Sequence, residues 1–525
     1  MRSRKRWRVS MTEGLVLIFM MCCNAVAAAQ GGDDSSLNDL PPPPPPPHAG
    51  LASASSEHLV PLRSLAALAR EGAKVSALVV DLGSGRPLAS WEPNSLLAPA
   101  SVTKLVLAAA LLDRFGPEHT FKSRVLVDGD VKDDGRRLDG DLVVDAAGEP
   151  GLTNEHLWRL ATDVARLGLR QVKGQLVLNT SRFAPITVND RDVNRQASWS
   201  GSSHAYDGPL SAGAVNFSVV GVFVAPGSAV GQPANVALEP YPLANTRLVN
   251  TVKTVAQGQR TKVSVDRTTE QGRDVLRASG TVAIREPART VYRSVSDPDR
   301  YALDVLEAFL LAAGVQVAGK RVDRSEPKGR QVLVLESQPL EWHLRGLLRQ
   351  SNNFIADMLT IQLDGAERGK TLDQGNGAID AFLAKVARED GRARAGLRLE
   401  SGSGLTPGNR LSAAAVVDVL RHLYDRDVWF GHTFAALPGA GVEGTLKRRF
   451  GSQDHAWLVG RLRAKTGTLS QPVVAVGLAG FSRSKSGLWT GFSILVNGGP
   501  RARGLTIEGA RTAMEEDLAN VLAAR

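Results

Sequence analysis

Cysteine is nearly absent from this sequence. Its 525 residues hold 2, the adjacent Cys22 and Cys23. Two neighbours so near the start give the rest of the chain no disulfide framework and no thiol nucleophile. Histidine is scarce as well: 9 residues, scattered, with no pair at i, i+4 spacing. A zinc site is therefore not expected, and neither metal nor organic cofactor is implied. Aromatic residues make up 5% of the chain. No Arg/Lys run interleaved with aromatics occurs, which speaks against a nucleic-acid partner. Internal repeats are also lacking.

Long apolar runs are missing too. The run from Leu15 to Cys23 is too short for a comfortable membrane span. It follows Arg2, Arg4, Lys5, Arg6 and Arg8, and precedes Ala25-Val26-Ala27-Ala28-Ala29. A basic start, an apolar centre and small residues at the end make residues 1–29 a secretory signal. Both cysteines lie inside it. An exported chain without cysteine fits a bacterial envelope protein, with the periplasm as its expected place. Its size allows a core that needs no disulfide support. Removing the signal lowers the net charge from +10 to +6. The remainder suits an anionic surface such as a cell wall. Cleavage of the signal and the oligomeric state stay open.

What is present is ample core material, at 43% hydrophobic and 22% charged residues. Residues 30–55, with seven prolines from Pro41 to Pro47, form a Pro-rich tether expected to be disordered. A hairpin is expected over 75–92, turning at Gly83-Ser84-Gly85. From about 125 the texture becomes short strands and turns. Within it, 140–145, a helix over 154–167 and 174–178 make a strand–helix–strand unit. Residues 210–290 read as mostly β. Helical patterns return at 299–313 and 340–363. Strands follow at 464–469, 473–481 and 488–496, with turns short enough to imply antiparallel neighbours. A last helix covers 507–522.

Three stretches carry chemistry. The first is Ala98-Pro99-Ala100-Ser101-Val102-Thr103-Lys104, at the mouth of an apolar helical run. Positions i and i+3 share a helix face, so the Lys104 amine can hang beside the Ser101 hydroxyl. The helix N-terminus favours an oxyanion and a neutral amine. Burial and the charge of Lys465 are expected to favour that neutral form further, as a base requires. Alone, Ser-x-x-Lys is more often a capping serine with a solvated lysine. The second is Ser351-Asn352-Asn353, polar residues among Leu347, Leu348, Phe354 and Ile355. Alone, such residues are often just caps. The third is Lys465-Thr466-Gly467-Thr468, opening a strand. Gly467 removes a side chain, so a ligand backbone could approach closely. Alone, it is a strand start with a solvated lysine.

Together and in this order, Ser-x-x-Lys, Ser-x-Asn and Lys-Thr-Gly resemble the active-site triplet of penicillin-binding proteins and serine β-lactamases. From Lys104 to Ser351 is 247 residues, far more than a compact β-lactamase has. The chain is similar in this to the penicillin-binding protein 4 family of D-alanyl-D-alanine carboxypeptidases (peptidase family S13). Ala98-Pro99-Ala100-Ser101, Gly148-Glu149-Pro150-Gly151-Leu152, Ser403-Gly404-Leu405 and Gly444-Thr445-Leu446 also resemble family motifs. The resemblance runs from about residue 58 to the end. Three positions depart from it: Glu149, Ser401 and Glu443 stand where the family usually has aspartate.

The resemblance implies an α+β fold. It is a β-lactamase/transpeptidase-like domain, an antiparallel sheet with helices, carrying a large, mostly β insert. Residues 56–124 and 330–525 would form the catalytic domain, and 125–329 the inserted domains. It implies catalysis by Ser101, Lys104 and Ser351: nucleophile, base and proton relay. Asn353 would hold the substrate's amide, while Lys465 and Thr466 receive its terminal carboxylate. Gly467 and Thr468 complete the substrate strand, with the N–H groups of Ser101 and Thr468 as oxyanion hole. The partners implied are peptidoglycan stem peptides and β-lactam antibiotics. Cross-links would be cleaved by the same chemistry. A β-lactamase and a catalytically silent wall-binding protein are the other readings. The long insert opposes the first and the three complete motifs oppose the second.

Two further stretches carry nothing. Gly314 to Arg321 nearly spells a phosphate loop, but Arg321 stands where a hydroxyl is needed, and it reads as the start of a strand. Gly402-Ser403-Gly404 lacks the outer glycines of a nucleophile elbow.

Overall fold

The structure, a computed structural model, describes residues 59–186, 203–240, 243–389, 395–484, 486–499, 502 and 504–524. The signal at 1–29 and the tether at 30–55 lie outside the described residues. The hairpin forms as β1 (Lys74–Asp81) and β2 (Pro87–Trp91), antiparallel. Asp81 Oδ1 fixes its turn by accepting from Ser84 N at 2.8 Å and Ser84 Oγ at 2.9 Å. Three strands from the far end of the chain complete this sheet: β15 (Leu462–Leu469), β16 (Ala475–Arg483) and β17 (Trp489–Asn497). The order is β15-β16-β17-β1-β2, antiparallel throughout.

Helices cover both faces of this sheet, so β17 is buried along its whole length. Alternation sends Val75, Val79, Ile494 and Val496 to one face. There they meet Leu65 of α1 (Arg63–Arg70) and Met514 and Leu518 of α10 (Ile507–Ala523). Leu78, Val80 and Leu495 point to the other face. There they join α2 (Thr103–Phe115), α8 (Ala413–Tyr424) and α9 (Asp427–Ala436). Every residue of α2 from Thr103 to Leu112 is buried. A helix apolar all round belongs in an interior. It anchors the nucleophile turn from behind.

Between β2 and the rest of that sheet the chain makes a long excursion. Its main sheet has the order β13-β5-β4-β3-β14. The strands are β3 (Lys122–Lys132), β4 (Arg137–Asp145), β5 (Gln171–Asn179), β13 (Gln316–Asp323) and β14 (Arg330–Glu336). The strand–helix–strand unit is β4, α3 (Asn154–Arg166) and β5, with β4 and β5 parallel. Leu157, Leu160, Ala161 and Val164 of α3 pack with Leu306 of α4 (Pro298–Ala312) over this sheet. Two smaller sheets fill most of 210–295. One is β12-β6-β7, from β6 (Val219–Ala225), β7 (Asn235–Glu239) and β12 (Arg289–Ser294). The other is β10-β11-β8, with β9 beside β11. It uses β8 (Thr246–Asn250), β9 (Lys253–Val255), β10 (Lys262–Glu270) and β11 (Arg273–Ala283).

The chain returns through α5 (Leu340–Leu348), α6 (Asn353–Gln362) and α7 (Leu372–Glu389). Helix α6 serves two cores. Ile355, Ala356 and Leu359 join the helical layer of the first sheet, and Phe354, Met358 and Ile361 join the core of the excursion. Its first residue is therefore held from both sides. No helix among the described residues is long and apolar enough to cross a membrane.

Candidate active site

The segment 98–104 is pinned before it turns. The Asn497 side chain on β17 accepts from Ala98 N at 2.8 Å and donates to Ala98 O at 3.0 Å. A 3₁₀ turn over Ala100–Val102 then leads into α2. Ala100 sits at φ +50°, sparsely allowed for a residue with a Cβ. Thr103 Oγ1 stabilises the turn by donating to Ala100 O at 2.8 Å. The i, i+3 relation then does what helical geometry dictates. Lys104 Nζ lies 3.1 Å from Ser101 Oγ. Lys104 is fully buried and Ser101 is half-buried.

The same Lys104 Nζ donates to Asn353 Oδ1 at 2.9 Å and to Ser403 O at 2.5 Å. With Ser101 Oγ, three oxygens thus surround the amine. The Ser403 carbonyl comes from a loop laced by Asn409. Asn409 Nδ2 donates to Ser401 O at 2.8 Å and Thr103 Oγ1 at 3.1 Å, while Asn409 Oδ1 accepts from Glu400 N at 2.8 Å.

Ser351 and Asn353 occupy the junction between α5 and α6. Asn352 is the cap: its Oδ1 accepts from Ile355 N at 3.1 Å. With capping done by the middle residue, its two neighbours are free for the cleft. Asn353 opens α6 and reaches Lys104. Ser351 sits at φ +58°, a conformation that turns its hydroxyl to the opposite wall. There Lys465 Nζ donates to Ser351 Oγ at 2.8 Å and to Thr466 O at 2.7 Å. Lys465 is fully buried. Burial, reinforced by the charge of Lys104, holds its amine well below the ordinary lysine range.

Thr466 Oγ1 donates to Thr445 Oγ1 at 2.8 Å. Ser101, Ser351, Thr445, Thr466 and Thr468 line one cleft of about 520 Å³. Gly467 corrects an expectation. The space before it is filled by the chain itself: a Cβ there would lie 2.6 Å from Pro99 O and 3.1 Å from Ser101 N. The missing side chain makes room for the nucleophile turn.

All eight residues picked out by the three motifs thus gather around this cleft. Three contributors were not named as site residues, although Ser403 and Glu443 stand in stretches that resemble family motifs. Ser403 acts through a backbone carbonyl, which no side-chain identity reveals. Glu443 lies behind the site and ties two motifs together. Its Oε2 meets Arg349 Nη1 at 2.8 Å and its Oε1 meets Arg463 Nη1 at 2.7 Å. Those arginines stand two residues before Ser351 and Lys465. The third is Arg511, whose Nη2 donates to Thr468 Oγ1 at 3.3 Å. Among the described residues no cluster of three or more His, Cys, Asp or Glu is placed to hold a metal ion.

The sequence model of the D-Ala-D-Ala carboxypeptidase 3 (S13) family matches residues 62–521. A D-alanyl-D-alanine carboxypeptidase of an Actinomadura species is 31% identical over 475 residues, covering 85% of this chain and 83% of the relative. The D-alanyl-D-alanine carboxypeptidase DacB of Haemophilus influenzae is 24% identical over 431 residues, covering 82% and 86%. Among solved structures, penicillin binding protein 4 of Haemophilus influenzae superposes with a TM-score of 0.69 at 21% identity. The match covers 88% of this chain and 99% of that one, so the fold is shared.

Proposed function

The chain belongs to the D-Ala-D-Ala carboxypeptidase 3 (S13) family, and from that premise we propose how its own residues perform serine D,D-peptidase chemistry. The enzyme is a penicillin-binding, serine-type D-alanyl-D-alanine carboxypeptidase. Ser101 Oγ attacks the carbonyl carbon between the two D-alanines. Its proton passes to the lone pair of Lys104, which Asn353 and Ser403 aim at it. The N–H groups of Ser101 and Thr468 receive the oxyanion. Such a donor contributes roughly 10²–10³ in rate.

As the C–N bond breaks, the leaving amine takes a proton from Lys104 through the Ser351 hydroxyl. Lys465 orients that hydroxyl. D-alanine departs and an ester remains on Ser101. Water attacks the ester, gives its proton to Lys104, and the serine is restored. Asn353 Oδ1 is engaged by Lys104, so its Nδ2 is the donor offered to the substrate's amide carbonyl. The hydroxyls of Thr466 and Thr468 face the terminal carboxylate. On a cross-link the leaving amine would belong to a neighbouring stem, and the open cleft leaves room for it. The substrate is then peptidoglycan, and the pattern of residues 1–29 supports an exported, periplasmic enzyme.

The observation that carries this reading is the 3.1 Å approach of Lys104 Nζ to Ser101 Oγ, with both N–H acceptors in place. The test is to incubate the protein with a penicillin, digest it and locate the added mass. One adduct is expected, on the peptide carrying Ser101, and none in Ser101→Ala. Release of D-alanine from a stem pentapeptide should be lost in the same variant. An adduct on Ser351 or Ser403 would move the nucleophile.

A further inference from the structure

We propose that Arg511 supplies the fixed positive charge of the carboxylate subsite, acting with Thr466 and Thr468, and so selects peptides whose leaving residue ends in a free carboxylate. The inference rests on the reading above and extends it to a residue outside the three motifs.

Arg511 lies on α10, and its place is set by the core. Its neighbour Ala510 is buried against the first sheet with Met514 and Leu518. The Arg511 side chain lines the same cleft as Ser101, Thr466 and Thr468. Nη2 donates to Thr468 Oγ1 at 3.3 Å. Nε is buried without a hydrogen-bond partner among the described residues, and an N–H left in that condition is costly unless a ligand meets it.

The other charges of the cleft are less suited. Arg449 is already committed to Glu515, with Nε 2.5 Å from Oε1. Arg448 is exposed. The acidic neighbour of Arg511 is Glu508, at 3.6 Å, and its side chain is 82% exposed. A pair so long and so solvated is weak, so an incoming carboxylate can compete with it. Lys465 is the residue the motif would nominate. Its amine donates to Ser351 and Thr466 O, and burial beside Lys104 depresses its charge. An amine in that setting is a better proton handler than a permanent counter-ion. A guanidinium keeps its charge and offers a planar fork that fits a carboxylate.

The test compares an N-acylated L-Lys-D-Ala-D-Ala tripeptide with its C-terminal amide. Wild type should prefer the free acid. In Arg511→Ala, kcat/KM for the acid should fall roughly 10–100-fold, the usual worth of a charge-assisted hydrogen bond, while that for the amide changes less than about threefold. Arg511→Lys should keep part of the preference and Arg511→Gln should lose it. That pair decides the matter if the alanine variant does not fold. Benzylpenicillin and its methyl ester give the same contrast through the rate of Ser101 acylation, read by mass. Equal losses on acid and amide, or an unchanged acid rate, would overturn the role of Arg511 while the wild type stays active. A wild type that neither releases D-alanine nor takes penicillin would overturn the functional reading and this inference together.

Discussion

Gly467 lies directly against Pro99: a Cβ added to Gly467 would sit 2.6 Å from the Pro99 carbonyl oxygen. Its antiparallel partner on β16 is another glycine, Gly477. A Cβ on Gly477 would lie 2.8 Å from Val102 Cγ2 and 3.0 Å from the same Pro99 oxygen. Two facing glycines thus make a flat bay in the sheet, and the nucleophile turn rests in it. The spacing between the backbone of Ser101 and that of Thr468 is set there.

Gly467→Ala should therefore act on chemistry before it acts on the fold. The added methyl must push the 99–101 backbone away from β15 and widen the pair of N–H donors. Acylation by penicillin should slow by about 10²-fold, the scale of one lost oxyanion donor. The thermal midpoint should fall by only about one degree, which is what ~1 kcal/mol costs a protein of this size. Stopped-flow or mass-detected acylation, run beside calorimetry, checks both. Acylation at the wild-type rate would show that the turn tolerates the displacement.

Lys104→Arg tests the base. Arginine is always charged and does not give up its proton. Acylation should drop by at least 10²-fold, the lower range of general-base catalysis, with far-UV circular dichroism unchanged. Ser101 is then still present and half-exposed, so the loss cannot be laid to a buried nucleophile. A Lys104→Arg variant that acylates normally would assign the base to another group.

How far the site was legible follows from how local each contact is. Ser101 and Lys104 are three residues apart on one helix, so their meeting is almost written in the chain. The pairing of Lys465 with Ser351 joins positions 114 residues apart, and only the combination of motifs points to it. Ser403 contributes a carbonyl, which every residue type owns, and Arg511 arrives on a helix whose docking angle no local pattern encodes. The same limit governs the fold. The tail strands have short turns and stand out, whereas Ala413–Tyr424 buries even its polar residues Asp418, Arg421 and His422, so its burial is not legible from its polarity. Residues 330–336 read naturally as part of the returning catalytic chain, yet β14 pairs antiparallel with β3 in the excursion's sheet. Seven residues do not specify which sheet edge a strand will join.

Glu443 offers a test of the support behind the cleft. It bridges Arg349 and Arg463, and Arg349 Nη2 also donates to Ala435 O. Glu443→Gln leaves two half-buried guanidiniums facing a neutral group. Stability should fall by about 1–3 kcal/mol, and kcat should fall about tenfold with KM little changed, since Ser351 and Lys465 lose their common brace. Glu443→Asp keeps the charge and should recover part of both. Denaturant unfolding and steady-state kinetics on the three proteins separate these outcomes. A Gln variant with wild-type kcat would make the bridge purely structural.

Glu149 provides the pH test. It is 2% exposed, and among the described residues neither carboxylate oxygen has a hydrogen-bond partner. The neighbouring glycines show how tightly this segment is enclosed: Gly148 abuts the Phe183 ring and Gln362, and Gly151 abuts His343 and Trp342. Burial with nothing to compensate it pushes the Glu149 carboxyl up to about 7. The folded state therefore binds this proton more tightly than the unfolded chain, where a glutamate titrates near ~4.3. The stabilisation that results is fully present below that value and is lost as pH rises through about 7. Glu149→Gln removes the titration and keeps the shape. The two proteins should be nearly equal in stability at pH ~5, and the Gln variant should be the more stable at pH ~8.5. The gap should approach ~3 kcal/mol at most, since a tenfold change in proton affinity is worth ~1.4 kcal/mol. His343, which burial holds down at about 4, is common to both proteins and cancels in the difference. Urea unfolding at the two pH values measures it. Parallel stabilities at both would mean that the carboxylate finds water or a partner in solution, and that the replacement of aspartate by Glu149 carries no pH cost.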